Sequence, residues 1–273
     1  MVKIMYLQNL HTHSTYCDGK DTPEEIIIAA LSNGFTSIGF SGHSFMDYSD
    51  YLGDADKTDE YKREILRLKK KYEDDIKIYL GLEVDMYSTP DMTGYDYLIG
   101  SVHYFKIGEQ YVGFDRNDKE VEKIINTYFN GNGMDYAKCY YRTLAQLPEY
   151  GNFDIIGHYD LIAKHSEKRM FFYESSKEYL DAAFETAEVL AKKIPFFEVN
   201  TGAIARGYRK TPYPSITLIK RLKELGFGAV ITSDCHDRAS LDCYFNEATE
   251  LLKFCGFKEK YILTDCGFTA VSL

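Results

Sequence analysis

Histidines and carboxylates recur in this chain at a spacing that places them side by side. His11 and His13 are two residues apart, and Asp234 and His236 repeat that spacing near the other end of the chain. Because successive side chains of a β-strand point to opposite faces, residues two apart in a strand share one face. Imidazole and carboxylate groups on one face can bind a divalent metal ion or transfer protons. The two pairs therefore indicate a metal site or an acid–base site.

Six of the seven histidines lie at the carboxyl end of a short apolar run, and three acidic residues have similar positions. These nine residues are His11, His13, Asp18, His43, Glu83, His103, His158, Asp234 and His236. The seventh histidine, His165, lies in a polar segment typical of a loop. Imidazoles mixed with carboxylates suit Zn, Mn or Fe, whereas Ca and Mg prefer oxygen ligands alone. Nine groups exceed the four ligands of one tetrahedral site, so we expect two or three divalent metal ions, with Glu83 bridging a pair.

The elements that must position these residues are strands alternating with helices. The apolar runs that predict strands are 3–13, 36–43, 76–85, 97–104, 153–160, 196–201 and 228–236. The segments that predict helices are 22–34, 58–72, 175–193, 214–225 and 237–255. Alternating strands and helices favour a parallel sheet covered by helices. Seven such strands predict an α/β fold, a distorted (β/α)7 TIM-like barrel whose strand ends converge on one face, although an open sheet remains an alternative.

No repeat, low-complexity segment or Pro/Gly/Ser-rich linker divides the chain, so we expect a single domain over 1–273. The polar, glycine-containing segment 106–133, with a helical pattern near 118–129, predicts a long excursion over the barrel mouth. A substrate lid and a tolerated surface insertion are both compatible with this pattern.

Composition narrows the function further. The net charge of −10 disfavours nucleic-acid partners, because polyanions are repelled by such a surface. The N-terminus lacks the pattern of a secretory signal, and no apolar stretch is long enough to cross a bilayer, so we expect a cytoplasmic protein with no membrane partner. The six scattered cysteines predict free thiols, and Cys235, between Asp234 and His236, should point away from them. Nothing in the sequence indicates the oligomeric state.

Seven short motifs, taken in order, resemble those of a known family. They are His11-Thr12-His13, Cys17-Asp18-Gly19, Ser41-Gly42-His43, Gly81-Leu82-Glu83, Gly100-Ser101-Val102-His103, Gly157-His158-Tyr159-Asp160 and Ser233-Asp234-Cys235-His236. The set is similar to that of the PHP (polymerase and histidinol phosphatase) superfamily along essentially the whole chain. Chain length and the segment 198–202 make it similar to the histidinol-phosphate phosphatase branch.

The resemblance implies a site with three metal ions. His11, His13, Glu83 and Asp234 would bind the first ion, and Glu83 would bridge to a second ion completed by His103 and His158. Asp18, His43 and His236 would hold the third. Some members of the superfamily carry His at the position of Asp18, and this difference keeps a ligand but can change the preferred metal.

The reaction that follows is hydrolysis of a phosphomonoester, and the resemblance implies L-histidinol phosphate, an intermediate of histidine biosynthesis, as the small-molecule substrate. A water shared by the metal ions would lose a proton near neutral pH and attack phosphorus. Three divalent ions, three carboxylates and one hydroxide leave about two positive charges to attract a phosphate dianion. The candidate catalytic residues are Asp18, Asp160 and His236. Asp160 or His236 would protonate the leaving group, and support of a metal-bound histidine is an alternative role for Asp160.

Polar residues beside the ligands are candidates for substrate binding. Ser101, Asn200 and Arg206 follow strand ends, and the planar guanidinium of Arg206 matches phosphate oxygens. A solvated surface charge is the alternative for Arg206. An acidic group should meet the substrate ammonium, but the sequence does not single one out.

Two other functions remain open at this stage. One is a related phosphoesterase that acts on another small phosphate or on nucleic-acid ends. The other is a catalytically inactive scaffold that binds metal, although such a protein would usually lack some ligands and all nine positions are filled here.

Overall fold

The computed structural model of the chain describes residues 6–46, 48 and 55–273, and all strands and helices below belong to these residues. The strands are β1 (Gln8–Asn9), β2 (Ser37–Phe40), β3 (Lys77–Asp85), β4 (Tyr97–Ser101), β5 (Tyr104–Ile107), β6 (Gln110–Gly113), β7 (Ile155–Ile156), β8 (Phe196–Asn200), β9 (Gly228–Thr232), β10 (Glu259–Thr264) and β11 (Gly267–Ser272). The helices are α1 (Pro23–Ser32), α2 (Ala55–Lys71), α3 (Asp118–Tyr128), α4 (Gly133–Leu144), α5 (Lys177–Leu190), α6 (Gly202–Ala205), α7 (Ile216–Glu224) and α8 (Phe245–Phe254).

Seven parallel strands form the central sheet, in the order β1-β2-β3-β4-β7-β8-β9. The ring closes just beyond β1 and β9, where Thr12 and Cys235 form a parallel bridge. There the N–H of His13 donates to the Cys235 carbonyl at 2.8 Å, and the N–H of Cys235 donates to the His11 carbonyl at 3.0 Å. The predicted (β/α)7 barrel is confirmed. Residues 3–5 of the first predicted run lie outside the described residues.

Local sequence signals account for most of the helices. The Thr22 side chain accepts from the N–H of Glu25, whose carboxylate accepts from the N–H of Thr22, so α1 begins with the predicted capping box. The single helix predicted over 237–255 is wrong. A short 3₁₀ turn occupies Arg238–Ser240, and α8 begins only at Phe245 because Tyr244 has a left-handed φ of 57°. None of the described helices is both long enough and apolar enough to cross a membrane.

One aromatic ring fills the centre of the barrel. Tyr97, on β4, is buried, and its hydroxyl donates to the carbonyl of Leu10, beyond β1. A Cβ added to Gly39 or Gly81 would lie only 2.3 or 2.2 Å from atoms of this ring. The two neighbouring strands therefore need glycine because the tyrosine occupies the space of their side chains.

The antiparallel hairpin β10–β11, which the sequence did not predict, covers the amino end of the barrel. The Gln8 amide, at the start of β1, donates to the Leu263 carbonyl at 2.9 Å and accepts from its N–H at 2.7 Å. Phe268 and Tyr261 pack on Phe196 at the start of β8. Because the hairpin covers the amino end of the barrel, the carboxyl ends of the strands are the face at which a site can form.

The excursion after β4 is built of regular elements. The hairpin β5–β6 leads into α3, whose predicted helical pattern is confirmed, and α4 follows it. Asn117 caps α3 by accepting from two backbone N–H groups of its first turn. Asp115 and Arg116, between β6 and α3, line the cavity at the carboxyl end of the barrel. This segment therefore contributes one wall of the cavity.

Lys260, on β10, provides a test of pH-dependent stability away from the strand ends. Its side chain is buried, its Nζ donates to the Tyr6 carbonyl at 3.0 Å, and burial lowers its pKa to about 8 from 10.5. Between these pH values the unfolded chain binds more protons than the native one, so this lysine costs stability at pH 7 and the cost disappears as pH rises. We expect Lys260→Met to raise the free energy of unfolding by about 2 kcal/mol at pH 7, with no gain near pH 10.5.

Urea denaturation at several pH values measures this difference. Lys258→Met, a change to an exposed lysine two residues away, should give no comparable pH-dependent gain. A gain for Lys260→Met that stayed constant from pH 7 to pH 10.5 would contradict the prediction.

Candidate metal centre

The carboxyl ends of the barrel strands bring the nine predicted ligands to one region. Three overlapping groups have ligand atoms within 4.8 Å of one another. The groups are His13, Asp18, His43 and His236; His11, His13 and Asp234; and His43, Glu83 and His103. His158 joins them through Glu83, whose Oε1 lies 3.0 Å from its Nε2. Sequence spacing therefore located a cluster of side chains whose ligand atoms could hold a metal ion.

Glu83, on β3, lies at the middle of the cluster and is 1% exposed. Its two oxygens face different histidines. The contacts of Oε2 are His43 Nδ1 at 2.9 Å, His11 Nε2 at 3.2 Å and His13 Nε2 at 3.5 Å, and those of Oε1 are His158 Nε2 at 3.0 Å and His103 Nε2 at 3.6 Å. A carboxylate that presents one oxygen to each of two imidazole groups has the geometry of a bridging ligand.

Two aspartates complete the cluster on the side away from His103. Asp234 Oδ1 lies 3.2 Å from His13 Nε2 and 3.7 Å from His11 Nε2. Asp18 Oδ2 lies 3.1 Å from His236 Nε2, and its Oδ1 lies 3.6 Å from His43 Nε2. Asp18 Oδ1 also lies 3.5 Å from His13 Nδ1, so His13 stands between the two aspartates.

The atoms at the centre fit divalent metal ions. Nε2 of His11, Nε2 of His13 and Oε2 of Glu83 are buried and have no hydrogen-bond partner. Burial, together with the neighbouring rings of His236 and His43, lowers the pKa of His13 to about 3, so this imidazole is neutral and has a lone pair to offer. Unpaired buried polar atoms are costly, and a divalent cation would satisfy all three. The donor set is that of a divalent-metal site.

The pKa values of the buried histidines and of Glu83 are shifted by the charges around them. Burial alone would lower the pKa of His11, but the surrounding carboxylates outweigh it and hold the pKa well above its ordinary value. The same balance raises the pKa of His43. Burial alone would raise the pKa of Glu83, but His11 and His43 hold it well below its usual range. The carboxylate charge is thus balanced by protons on the imidazoles, and a divalent ion held by these residues would take the place of those protons.

Two carboxylates that sequence reasoning did not single out orient the ligand histidines. Glu198 Oε2, on β8, accepts from Nδ1 of His11 at 2.9 Å, which turns Nε2 of His11 toward Glu83. Asp85 Oδ2 accepts from Nδ1 of His103 at 3.1 Å. Asp85 lies two residues from Glu83 on β3, in the same pattern as His11 and His13, but this spacing alone does not show which histidine it contacts. Such partners fix the tautomer and the orientation of a ligating imidazole.

The two cysteines near the cluster, Cys235 and Cys17, differ in what their thiols contact. Cys235 Sγ donates to the Asp237 carbonyl at 3.0 Å and belongs to none of the three groups. Cys17 Sγ instead lies 3.4 Å from Nδ1 of His13. Sequence reasoning gave no role to this thiol, which contacts the edge of the His13 ring opposite its unpaired Nε2.

Arg206 is the predicted substrate residue that reaches the cavity. Its Nη2 lies 2.8 Å from Asp234 Oδ2, and its Nη1 donates to the Asp234 carbonyl at 2.7 Å and lies 3.0 Å from His236 Nδ1. The carboxylate of Asp234 outweighs burial and raises the pKa of Arg206. The guanidinium therefore contacts two predicted ligands as well as lining the cavity.

Three other predicted residues lie behind the lining. Asn200 donates to Glu198 Oε1 at 2.8 Å and accepts from the N–H of Gly202 at 2.9 Å. Asp160 Oδ2 accepts from the N–H of Ser215 at 3.0 Å, and burial raises its pKa to about 6. Ser101 is buried at the end of β4. The structure places none of these three among the residues that line the cavity.

The cavity above the cluster has a volume of about 320 Å³. Its inner wall consists of predicted ligands and Arg206. Its outer wall is formed by Asp115, Arg116, Leu161, Lys164 and Tyr208. The size suits a small ligand. Together, the fold and the site define a seven-stranded α/β barrel with a divalent-metal site at the carboxyl ends of its strands.

Comparison with known proteins agrees with this description. The model of the PHP domain family matches residues 9–202. A probable histidinol-phosphatase of Schizosaccharomyces pombe is 28% identical over 90% of this chain and 86% of its own length. The histidinol-phosphatase of Lactococcus lactis is 28% identical over 91% of each chain. The chain belongs to the PHP domain family, as the motifs predicted.

Solved structures share the fold. The histidinol phosphate phosphatase of Lactococcus lactis, in complex with Zn, L-histidinol and phosphate, superposes with a TM-score of 0.75 at 22% identity, covering 96% of this chain and 98% of its own. A putative histidinol phosphatase from Listeria monocytogenes gives a TM-score of 0.73 at 20% identity, covering 88% and 99%. The barrel architecture is thus shared over nearly the whole length of each chain.

Glu198 gives a test of how the ligands are oriented. We expect Glu198→Gln to weaken metal binding about 10- to 100-fold, because an amide NH2 cannot accept the hydrogen bonds that the second carboxylate oxygen accepts. In wild type, Glu198 accepts from His11, from the N–H of His158 and from the hydroxyl of Thr232. Competition with a chromophoric chelator measures the affinity for Zn.

The matched control is Glu185→Gln, the same change on the exposed face of α5. It should bind Zn as wild type does. Equal Zn affinity in Glu198→Gln and wild type would show that this carboxylate does not orient the ligands.

Proposed function

We propose that this protein is a metal-dependent phosphatase that hydrolyses L-histidinol phosphate to L-histidinol and phosphate, in the biosynthesis of histidine. The observation that carries the proposal is the cluster of nine histidine and carboxylate side chains at the strand ends, seven of which line one small cavity. Relatives that match about nine tenths of this chain are named histidinol-phosphatases, which supports this substrate over other small phosphates.

We further propose that two or three divalent ions, of Zn, Mn or Fe, occupy the site. His11, His13, Glu83 and Asp234 would hold one ion. His103 and His158 would hold a second together with Glu83, and Asp18, His43 and His236 would hold a third. The bound ions supply positive charge to the phosphate oxygens and lower the pKa of water. The relative crystallised with Zn and phosphate supports Zn as one occupant.

The chain's own residues bind and orient the phosphate. Arg206 stands beside the cluster with both terminal nitrogens held by Asp234, so the guanidinium is fixed in place before substrate arrives. Because Arg206 lines the cavity, its remaining hydrogen-bond donors would be available to a phosphate oxygen held beside the metal ligands. Because the group is preorganised, little side-chain entropy is lost when it binds phosphate.

The two candidates for leaving-group protonation differ in position. His236 lines the cavity and its side chain is 24% exposed, whereas Asp160 lies behind the lining. His236 Nε2 would face the third ion, and its Nδ1 lies 3.0 Å from Arg206 Nη1 and 2.9 Å from the Asp234 carbonyl, so neither candidate is assigned the proton. The role of Asp160 is positioning, because its carboxylate accepts from the N–H of Ser215, at the amino end of α7, and thereby fixes the segment that follows His158.

The central test is phosphate release from L-histidinol phosphate beside a panel of small phosphates and a short single-stranded DNA. We expect strong preference for L-histidinol phosphate, loss of activity on chelation and recovery with Zn or Mn. Glu83→Gln should lower kcat/KM at least about 100-fold, because it removes charge from the centre of the site. Glu73→Gln, on the surface, is the control. Metal-dependent preference for another phosphate would overturn the substrate, and inactivity of metal-loaded protein would favour the inactive scaffold.

Arg206 gives a second test. We expect Arg206→Ala to lower kcat/KM about 10- to 100-fold, mainly through KM, because a charge-assisted hydrogen bond to phosphate is lost. Metal content measured on the same samples separates this loss from a loss of Asp234 orientation. Arg221→Ala, on α7 and outside the cavity lining, serves as the control. If Arg206→Ala stays within about twofold of wild type, Arg206 does not bind phosphate.

A further inference from the structure

The ligand histidines differ in what contacts the ring nitrogen that points away from the metal centre. Nδ1 of His11 and Nδ1 of His103 each contact a carboxylate oxygen, at 2.9 and 3.1 Å. Nδ1 of His13 contacts a sulfur atom instead, Sγ of Cys17, at 3.4 Å. Among the described residues, this thiol is the one hydrogen-bond partner of that nitrogen. The sulfur therefore occupies the place that a carboxylate occupies at the other two rings.

A tight turn after β1 places Cys17 against the His13 ring. The N–H groups of Cys17 and Gly19 both donate to the Ser14 carbonyl, at 2.9 and 3.1 Å. A Cβ added to Gly19 would lie 2.5 Å from the carbonyl carbon of His13, so only glycine lets the turn close this far. A Cβ added to Gly42 would lie 3.2 Å from Sγ of Cys17. The two glycines therefore leave the space that the thiol needs to reach the ring.

A metal ion bound at Nε2 of His13 determines where the ring carries its proton. Nε2 is buried, has no hydrogen-bond partner, and lies 3.2 Å from Asp234 Oδ1 and 3.5 Å from Glu83 Oε2. A neutral imidazole has one N–H group, so Nε2 offers a lone pair only when the proton is on Nδ1. That proton then faces Sγ of Cys17. Cys17 belongs to none of the three groups of candidate ligands, so its sulfur acts on the ring and not on an ion.

Asp18 is the other acceptor near this nitrogen. Its Oδ1 lies 3.5 Å from Nδ1 of His13, but the same carboxylate lies 3.6 Å from His43 Nε2 and 3.1 Å from His236 Nε2. These two rings are the ligands that would hold the third ion together with Asp18. A carboxylate that binds this ion has less charge to offer to the His13 ring. The thiol is therefore the acceptor that remains for His13 when the ion is bound.

We propose that Cys17 is a positioning residue of the metal centre, whose thiol accepts a hydrogen bond from Nδ1–H of His13 and keeps Nε2 turned toward the ion shared with Asp234. The inference rests on the metal occupancy in the proposed function and is independent of the substrate. A carboxylate in this position raises the basicity of a ligating histidine. Sulfur is a weaker acceptor, so it fixes the tautomer of His13 without adding negative charge beside Asp18.

The test compares two variants of Cys17 in the Zn-loaded protein. Cys17→Ala removes the acceptor, so we expect the affinity for Zn to fall about 10-fold, measured by competition with a chromophoric chelator. Cys17→Ser keeps an acceptor on a shorter bond and should stay within about threefold of wild type. Cys139→Ala, on α4, makes the same change outside the three groups of candidate ligands and should bind Zn as wild type does.

A spectroscopic readout separates orientation of the ring from packing around it. In Zn-loaded wild type with 15N-labelled histidine, nuclear magnetic resonance should show His13 with a proton on Nδ1 that exchanges slowly with solvent. Cys17→Ala should shift this resonance and speed its exchange, because the proton loses its acceptor, whereas Cys17→Ser should retain it. The resonance is assigned by its loss in His13→Gln.

The outcomes distinguish the inference from the proposed function. A Zn affinity and an Nδ1 resonance that are the same in Cys17→Ala and wild type would overturn the role of Cys17 and leave the phosphatase function intact. Equal losses of affinity in Cys17→Ala and Cys17→Ser, with the Nδ1 resonance unchanged in both, would show that the sulfur only fills space. If wild type binds Zn without hydrolysing L-histidinol phosphate, a weaker and spectroscopically altered Cys17→Ala supports the inference while the substrate assignment fails. Wild type that binds no divalent ion overturns both.

Discussion

The Glu83 carboxylate presents one oxygen to His11, His13 and His43 and the other to His103 and His158, and it is almost completely buried. A carboxylate in such a place is costly unless positive charge surrounds it. Protonated imidazoles supply that charge in the protein alone, and divalent ions supply it in the metal-loaded enzyme. Glu198 and Asp85 hold two of these rings in place around this side chain.

The barrel supplies that support through hydrogen bonds between strands that are distant in sequence. Glu198 connects three of them, since it accepts from His11 after β1, from the N–H of His158 after β7 and from Thr232 on β9. Closure of the ring at Thr12 and Cys235 brings the first and last strand ends together. Asp234, next to this closure, has a positive φ of 46°, a conformation that costs energy for a residue with a side chain. In this backbone conformation the Asp234 carboxylate lies 3.2 Å from Nε2 of His13.

Charge distribution connects metal loading with substrate choice. The chain carries a net charge of −10, and the described part of the cavity lining includes four carboxylates, so attraction of a phosphate dianion depends on the cations of the site. Bound ions would reverse the sign at the inner wall only. The outer wall keeps the Asp115 carboxylate beside Lys164.

The sequence by itself determined the barrel class, the family and the nine residues of the cluster. This was possible because strand periodicity is local, and residues at the carboxyl ends of parallel strands must meet on one face. The same rule could not distinguish residues that line the cavity from those behind it. Ser101, Asn200 and Asp160 follow strand ends as the ligands do, yet they face the surrounding structure. Only the tertiary structure decided that Glu198 and Asp85 orient histidines and that Asp115 stands on the outer wall, because those contacts join segments whose separation in sequence carries no signal of their distance in space.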